Sequence, residues 1–536
     1  MSSRSTPQVY GSLLLVPALV AGLAFDGGGY SATTWGWSTL LPLAAIGALL
    51  VSGRARRLTR LESVFLALVA ALVAWTWLSL VWSADFSASV LDGERALLYV
   101  AAAAMVLLLG RPVPLVTGLL AAISLACAYG LALRIFGHAG YDVGSAAPDA
   151  AHRLAEPLGY SNALGAFAAM GIVLSVGLAR RHPFAALALP VLVPTLYLTY
   201  SRGAWIALGA GLLAAASLRA RRRALVAAAG VAVALVATAA ALYGGRAYRA
   251  FSSAGPTTAK THESARLLSL SGSSRSQYWH VAWDEYRSKP WLGTGAGGFQ
   301  RSWLARRPSP LPVLDAHSLE LETLTELGPF GLVLLLAALA TPVAAAVAHR
   351  RSPLAPAAFG AYAVFLVHSA QDWDWEVPAV TVAALVCAAA LLAAARGEAP
   401  PATLGRVPRG VGVAGCAALA AVAVLAFGGN HALETARHAL DEAQPRRAAD
   451  AAHDARGWAP WSPEGWRLLG EAQLEQGRVA AARASFRRGL AKDDRDWELW
   501  LDLALAETGA ARRNALEHAS ALNPLDPQVQ RLRAAA

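Results

Sequence analysis

His317 stands in the run Asp315-Ala316-His317-Ser318-Leu319-Glu320. An unperturbed imidazole is the natural proton acceptor near neutral pH. Asp315 is placed to cap a helix that begins near His317. Glu320, three residues on, would then share the helix face and orient the ring. The chain has 12 histidines, so a plain surface residue is the competing reading of His317 taken alone.

Two arginines offer complementary chemistry. Arg202 lies in Leu198-Thr199-Tyr200-Ser201-Arg202-Gly203-Ala204-Trp205, between two apolar runs. An arginine at the centre of a membrane costs about 2.5–3.5 kcal/mol on insertion scales, so it is either a snorkelling interface residue or there for a purpose. Gly203 beside it lets a ligand or another backbone approach. Arg275 lies in Ser273-Ser274-Arg275-Ser276-Gln277-Tyr278-Trp279 and enters an amphipathic helix with Trp279, Trp283 and Tyr286; the alternative is a solvated loop cation.

Other stretches are less pointed. Gly293, Gly295, Gly297 and Gly298 form a cluster that either cradles a phosphate through backbone N–H groups or makes a tight turn. No Gly-Lys-Ser/Thr follows it and no strand-like run precedes it, which excludes a P-loop and a dinucleotide fingerprint. The run Gln371-Asp372-Trp373-Asp374-Trp375-Glu376 suits either sugar stacking or an interfacial aromatic belt. Cys127, Cys387 and Cys416 lie in apolar runs without CxxC spacing, and no cluster has metal-ligand spacing.

These residues are carried by a chain of 536 residues that is 56% hydrophobic and 15% charged, with mean hydropathy +0.42. Soluble domains carry about 25% charged residues, so the deficit points to a polytopic membrane protein. The formal charge of +11 does not indicate nucleic acid, because the arginines cluster between apolar runs.

Thirteen runs are long enough to span or nearly so: 10–25, 38–52, 61–82, 95–110, 113–136, 160–179, 184–200, 203–218, 224–243, 329–348, 354–370, 377–395 and 409–428. Leu13 to Phe25 reads as a retained first span rather than a cleaved signal. Arginine clusters at 54–60, 180–181, 219–223, 350–351 and 396–409 each follow an even-numbered run. The positive-inside rule therefore puts the N-terminus in the cytoplasm and the polar interval 244–328 outside. That interval holds Trp279, Trp283, Trp291, Phe299 and Trp303, which is too aromatic for a disordered linker. It reads as an active-site loop.

The organisation expected is N-terminal membrane helices over 1–243, a large extracytoplasmic loop over 244–328, further membrane helices over 329–428 and a soluble helical tail over 430–536. In the tail, Trp466 and Leu469 recur as Trp500 and Leu503 after 34 residues. With Gly470, Gly477, Ala482 and Phe486, this resembles a tetratricopeptide repeat, which docks protein partners. A generic amphipathic tail is the alternative.

Taken together the pieces resemble the O-antigen ligase/polymerase superfamily of membrane glycosyltransferases, of GT-C type. The resemblance is carried by Arg153 to Asn162, the run Thr199 to Trp205, Arg275 with Trp279, Pro290 to Gly295, Ala316-His317-Ser318, and Glu326-Leu327-Gly328. Ser318 departs from the asparagine of many relatives. The resemblance implies an all-α membrane fold of about 12–13 spans in the bacterial cytoplasmic (inner) membrane. It implies transfer of a glycan from an undecaprenyl-diphosphate carrier to a glycan or lipid acceptor hydroxyl, inverting and without metal or other cofactor. His317, Arg202 and Arg275 are then the expected catalytic residues. Arg153, Asn162, Ser201, Gly203, Trp279, Glu320 and Asp372 are expected to bind substrate. A transporter or flippase is the main alternative, but its spans would carry ionisable groups near the midplane. A scaffold presenting repeats needs one span, not thirteen.

Overall fold

The computed structural model of the chain describes residues 6–137, 153–219, 275–396 and 402–535. The ninth apolar run, Arg221 to Arg223 and the first part of the polar interval, 244–274, lie outside the described residues. Each of the other twelve runs falls on a helix. Twenty α-helices and no β-ladder occur among the described residues, apart from one isolated bridge between Arg56 and Thr403.

The membrane part comprises α1 (Thr6–Phe25), α2 (Ala32–Val51), α3 (Arg60–Leu78), α4 (Phe86–Leu109), α5 (Pro112–Ile135), α6 (Ser161–Ala179), α7 (Leu189–Leu198) and α8 (Arg202–Ser217). Two short helices of the polar interval follow, α9 (Arg275–Ser288) and α10 (Phe299–Arg306). Then come α11 (Leu319–Ala348), α12 (Ala355–Ser369), α13 (Pro378–Ala394) and α14 (Arg406–Asp441). By length and composition, α2, α3 with its short continuation, α5, α6, α11 and α14 can each cross a membrane, and five shorter apolar helices accompany them. The protein is a multi-pass helical membrane protein. Its centre is α13, packed against α1, α4, α5, α11 and α12 and buried along most of its length.

The helices alternate in direction, so their connections sort to two ends. The segments at 26–31, 79–85, 153–160, 199–201, 275–318 and 370–377 gather at one end. The arginine-rich connections lie at the other. At that second end Glu62 completes a capping box with Thr59 and accepts from Arg56 at 3.0 Å and Arg396 at 2.7 Å. A buried carboxylate taken by two guanidiniums ties the start of α3 to the end of α13.

Two starts differ from the sequence reading. The fourth helix begins at Phe86, not near 95, because Asp85 accepts from the Ala88 amide at 2.9 Å and caps it. The tenth run is the second half of α11, which begins at Leu319 and kinks at Gly328, where φ is 69°. Pro329 has no N–H for the preceding turn. The carbonyls left open accept from elsewhere: Thr325 from the Thr294 amide at 3.1 Å, Glu326 from the Gly295 amide at 2.9 Å, and Leu327 from Trp75 Nε1 at 2.9 Å. The kink thus joins the polar interval to α3.

The tail adds α15 (Pro445–Trp458), α16 (Glu464–Glu475), α17 (Val479–Leu490), α18 (Trp497–Ala506), α19 (Gly509–Leu522) and α20 (Pro527–Ala534). Consecutive helices pack as hairpins. Phe486 is fully buried against Gly470, where a Cβ would come within 2.4 Å of its ring. Helix α14 runs unbroken through 428–430, where the sequence suggested the junction with the tail.

Candidate functional site

At the end of the bundle opposite the arginine-rich connections, Asp372 is the hub of a hydrogen-bonded network. It lies between α12 and α13 and is 1% exposed. It accepts from Arg275 Nη2 at 2.6 Å, Asn162 Nδ2 at 2.8 Å, the Tyr160 hydroxyl at 2.7 Å and the Trp373 amide at 3.0 Å. Asn162 in turn takes Arg153 Nη2 on its Oδ1 at 2.6 Å, while Arg153 Nε donates to the Thr199 carbonyl at 2.8 Å. Residues 219 positions apart in sequence, from Arg153 to Asp372, are thereby locked together. Although burial pushes the Asp372 carboxyl up, Arg275 and then the nearby histidines hold it down at about 2. The same ion pair raises Arg275, against its burial.

Arg202 is the first residue of α8, with Ser201 as the cap whose hydroxyl accepts from the Ala204 amide at 3.3 Å. It lies close enough to Arg275 and Arg153 for their charges to repel it. A cation at a helix N-terminus also adds to the positive end of the dipole. Three guanidiniums, those of Arg153, Arg202 and Arg275, thus gather with the start of α8 around the network whose hub is Asp372. Gly203 packs tightly rather than opening a path: a Cβ there would stand 3.2 Å from His368 Nε2.

His317 is not on a helix. Its φ is 57°, and the cap of α11 is Ser318, not Asp315. Glu320 therefore does not share a helical face with the ring, and the expected Glu320–His317 pairing gives way to two other supports. His317 Nδ1 lies 3.0 Å from the Asp315 carbonyl. A carbonyl only accepts, so Nδ1 carries the proton and Nε2 is left with its lone pair. The Tyr278 ring stands 4.9 Å away, centroid to centroid, and itself meets the buried Trp303 edge to face. His317 is half-buried by accessible surface, and its desolvation lowers it to about 4; Asp372 opposes that shift and Arg275 adds to it. The imidazole is neutral at physiological pH.

Trp279, one residue after Tyr278, packs beside the cluster of Tyr278, Phe299 and Trp303. The acidic–aromatic run after α12 turns inward, with Asp372, Asp374, Trp375 and Glu376 all buried and Gln371 and Trp373 half-buried. Asp315 joins Glu322 and Glu376, whose carboxylate oxygens lie within 4.8 Å of one another. Burial and then the Glu376 charge push Asp315 well above the carboxylate range, and it hydrogen-bonds Glu376. Glu376 also takes Arg95 at 2.7 Å, and Glu322 takes the Ala316 amide at 2.6 Å. The cluster is closed on itself by protons and donors.

The glycine cluster makes a tight turn, with Gly293, Gly295 and Gly297 at φ of 70°, 88° and 70°. The turn's amides are taken up by the chain's own Glu326, whose carboxyl oxygens accept from Gly297 at 2.9 Å and Phe299 at 3.0 Å. A phosphate has no room there. Gly295→Ala is expected to lower thermal stability sharply. The left-handed backbone alone costs about 1–2 kcal/mol, and the added Cβ would lie 2.5 Å from the Ser83 Cα. Unchanged melting of the purified variant would refute this.

The sequence reading passed over Tyr160, although it lies within the quoted run, and the buried pair His368–Asp374, 3.0 Å apart. Tyr160 stacks on Trp373 at 4.4 Å, a long-range contact with no local signal.

Compared with known proteins, residues 185–336 match the family described as O-antigen ligase. The match includes Ser201, Arg202, Gly203, Arg275, Trp279, His317 and Glu320; Arg153, Asn162 and Asp372 lie outside it. No curated protein matches the chain.

Proposed function

We propose that the protein is a glycosyltransferase of the bacterial cytoplasmic membrane that moves a glycan from an undecaprenyl-diphosphate carrier to an acceptor hydroxyl, as a ligase or a polymerase. The observation that carries this is the placement of an imidazole, its Nδ1 on the Asp315 carbonyl, beside the gathered guanidiniums of Arg153, Arg202 and Arg275. The likeness of residues 185–336 to O-antigen ligases supports the same reading.

In this mechanism the acceptor hydroxyl lies at His317 Nε2, which takes its proton as the oxygen attacks the anomeric carbon. The bond from that carbon to the diphosphate oxygen breaks, and the lipid diphosphate leaves with the electron pair. Arg202 and Arg275 hold the charge that develops on it, with Arg153 behind them. Direct displacement inverts the anomeric centre. The guanidiniums supply the charge that a metal supplies elsewhere, so the reaction proceeds with chelator present. Asn162 and Asp372 hold the arginines in place, Ser201 and Gly203 set the start of α8, and Trp279 and Glu320 border the acceptor side. The polar interval 244–328 forms the catalytic loop outside the membrane between helices of 1–243 and 329–428. The tail 430–536 is a tetratricopeptide-like docking module on the same side.

The test is transfer by purified protein in liposomes from an undecaprenyl-diphosphate oligosaccharide, with chelator present, for wild type and Arg202→Ala. Transfer by wild type, reduced about 10²–10³-fold in the variant as for loss of one charge-stabilising donor, is expected. Full activity in a well-folded Arg202→Ala would remove the arginine mechanism. Movement of the carrier across the bilayer without transfer would instead make the protein a flippase.

A further inference from the structure

Where the helical tail meets the bundle there is a second cleft, of about 250 Å³. Its floor is α14 near Leu433 and the first turns of α4, one wall is Gln300 and Arg301 on α10, and its roof is Trp461, Trp497 and Glu498. The tail is seated firmly enough to define it. Arg301 pairs with Asp85 at 2.6 Å and also with Asp493 of the tail, and Arg307 donates to Asn523 at 2.7 Å.

We propose that this cleft binds a neutral saccharide chain, holding part of the donor or acceptor glycan next to the site of transfer. The inference rests on the transferase reading above for its role, but the binding itself does not. Trp461 is 42% exposed and lines the cleft, so its ring is not part of the buried core. Trp497 is half-buried, with its other side packed on the cluster of Tyr278, Phe299 and Trp303. Rings that are rigid and partly open provide apolar faces for sugar C–H groups at small entropic cost.

The polar lining suits hydroxyls and not anions. Six acids line the cleft, Asp85, Glu94, Glu464, Asp493, Asp496 and Glu498, against three arginines. Two of those arginines are engaged: Arg301 as above, and Arg437 with Glu464 at 2.8 Å. Asp496 caps α18 and accepts from the Glu498 and Leu499 amides. An anionic ligand would meet more acids than arginines, whereas hydroxyls can donate to these carboxylates and accept from the Gln300 amide. The volume is at or below the small end of ligand pockets, roughly 300–1,000 Å³, which fits a short stretch of glycan rather than a protein partner. One hydrophobic cluster links the cleft to the chemistry: the cluster that backs Trp497 contains Tyr278, whose ring stands 4.9 Å from that of His317.

The experiment is a titration of the full-length protein in lipid nanodiscs with maltohexaose, cellohexaose and chitohexaose, and with hexagalacturonate as the anionic control. Binding is read calorimetrically and by saturation-transfer NMR for wild type, Trp461→Ala, Trp461→Phe and His317→Ala. At least one neutral hexaose binds, Trp461→Ala weakens it roughly tenfold, as for loss of an aromatic anchor, and Trp461→Phe restores most of it. Hexagalacturonate does not bind, and His317→Ala binds as wild type. Failure of all three neutral hexaoses, binding indifferent to Trp461→Ala, or preference for the anion would each overturn the proposal. Trp461-dependent binding in a protein that transfers nothing would keep the cleft and remove the transferase reading. A Trp461→Ala variant with wild-type transfer, KM and hexaose binding would do the reverse.

Discussion

Replacing His317 with asparagine is expected to lower kcat for glycan transfer by about 10²–10⁴-fold, the range for loss of a general base, with little change in KM. Asparagine is the informative choice because the residue sits at φ 57°, a region asparagine tolerates better than most side chains. Melting of the variant should therefore match wild type, and loss of activity cannot be laid to misfolding. The pH profile makes a second demand. Desolvation holds the imidazole down at about 4, so the base form persists across the neutral range. Activity should be flat from about pH 5 upward and fall only as the pH approaches 4. A wild-type rate that declines with an apparent value near 6.5, that of an ordinary histidine, would show that the ring is not desolvated as described. A fully active His317→Asn would show that it is not the base.

The second large effect is expected at Asp372. Changing it to alanine takes the acceptor from Arg275, Asn162 and Tyr160 at once. Removing one partner of a buried pair costs about 3–5 kcal/mol, because the other charge is left uncompensated. Asp372→Ala should lose most of its thermal stability and Asp372→Asn somewhat less, since the amide can still accept. Both should lose activity, because Arg275 is no longer aimed. The sign of the pH effect follows. The folded carboxyl is held at about 2, below the unfolded value of about 3.9. Its contribution is full above about pH 4 and disappears as the pH falls through 2. His317 acts in the same direction. The unfolded ring takes a proton near pH 6.5 and the folded ring only near 4, so stability declines across that interval as well. Wild type should lose stability from about pH 6.5 downward, and Asp372→Asn should lack the lowest part of that decline. Identical acid melting of the two would contradict this account.

The membrane helices were legible because an apolar run of the right length has few alternatives in a bilayer. Twelve of the thirteen expected runs lie on helices, and the ninth is outside the described residues. Starts were less legible when a charged first turn precedes the apolar stretch. Asp92, Glu94 and Arg95 hid the true start of α4, because their partners, such as Glu376, come from the far end of the chain. The same holds for the site. The sequence singles out Arg153, Asn162, Arg275 and Asp372, but nothing local says that the last accepts from the middle two. The sequence left the run around Asp372 as either a sugar-binding stretch or an interfacial belt, because its burial is a property of tertiary packing that no local pattern carries. The expected cap at Asp315 failed for a related reason: the helix is capped by Ser318, three residues later, which takes Glu320 off the face expected for it.

Helix α14 has 36 residues and no break between its membrane part and the first helical hairpin of the tail. At about 1.5 Å per residue, it is a mast rather than a tether. The tail cannot search the space above the bundle as a module on a flexible linker would. Its height and its compass bearing follow the register of that helix, and the contacts of Arg301 with Asp493 and Arg307 with Asn523 hold it there. Each residue added or removed in that stretch would turn the tail by about 100° as well as lift or lower it. Length and sequence in α14 therefore govern which surface of the tail faces His317, and drift in either would misalign the two halves of the molecule without altering a single residue of either one.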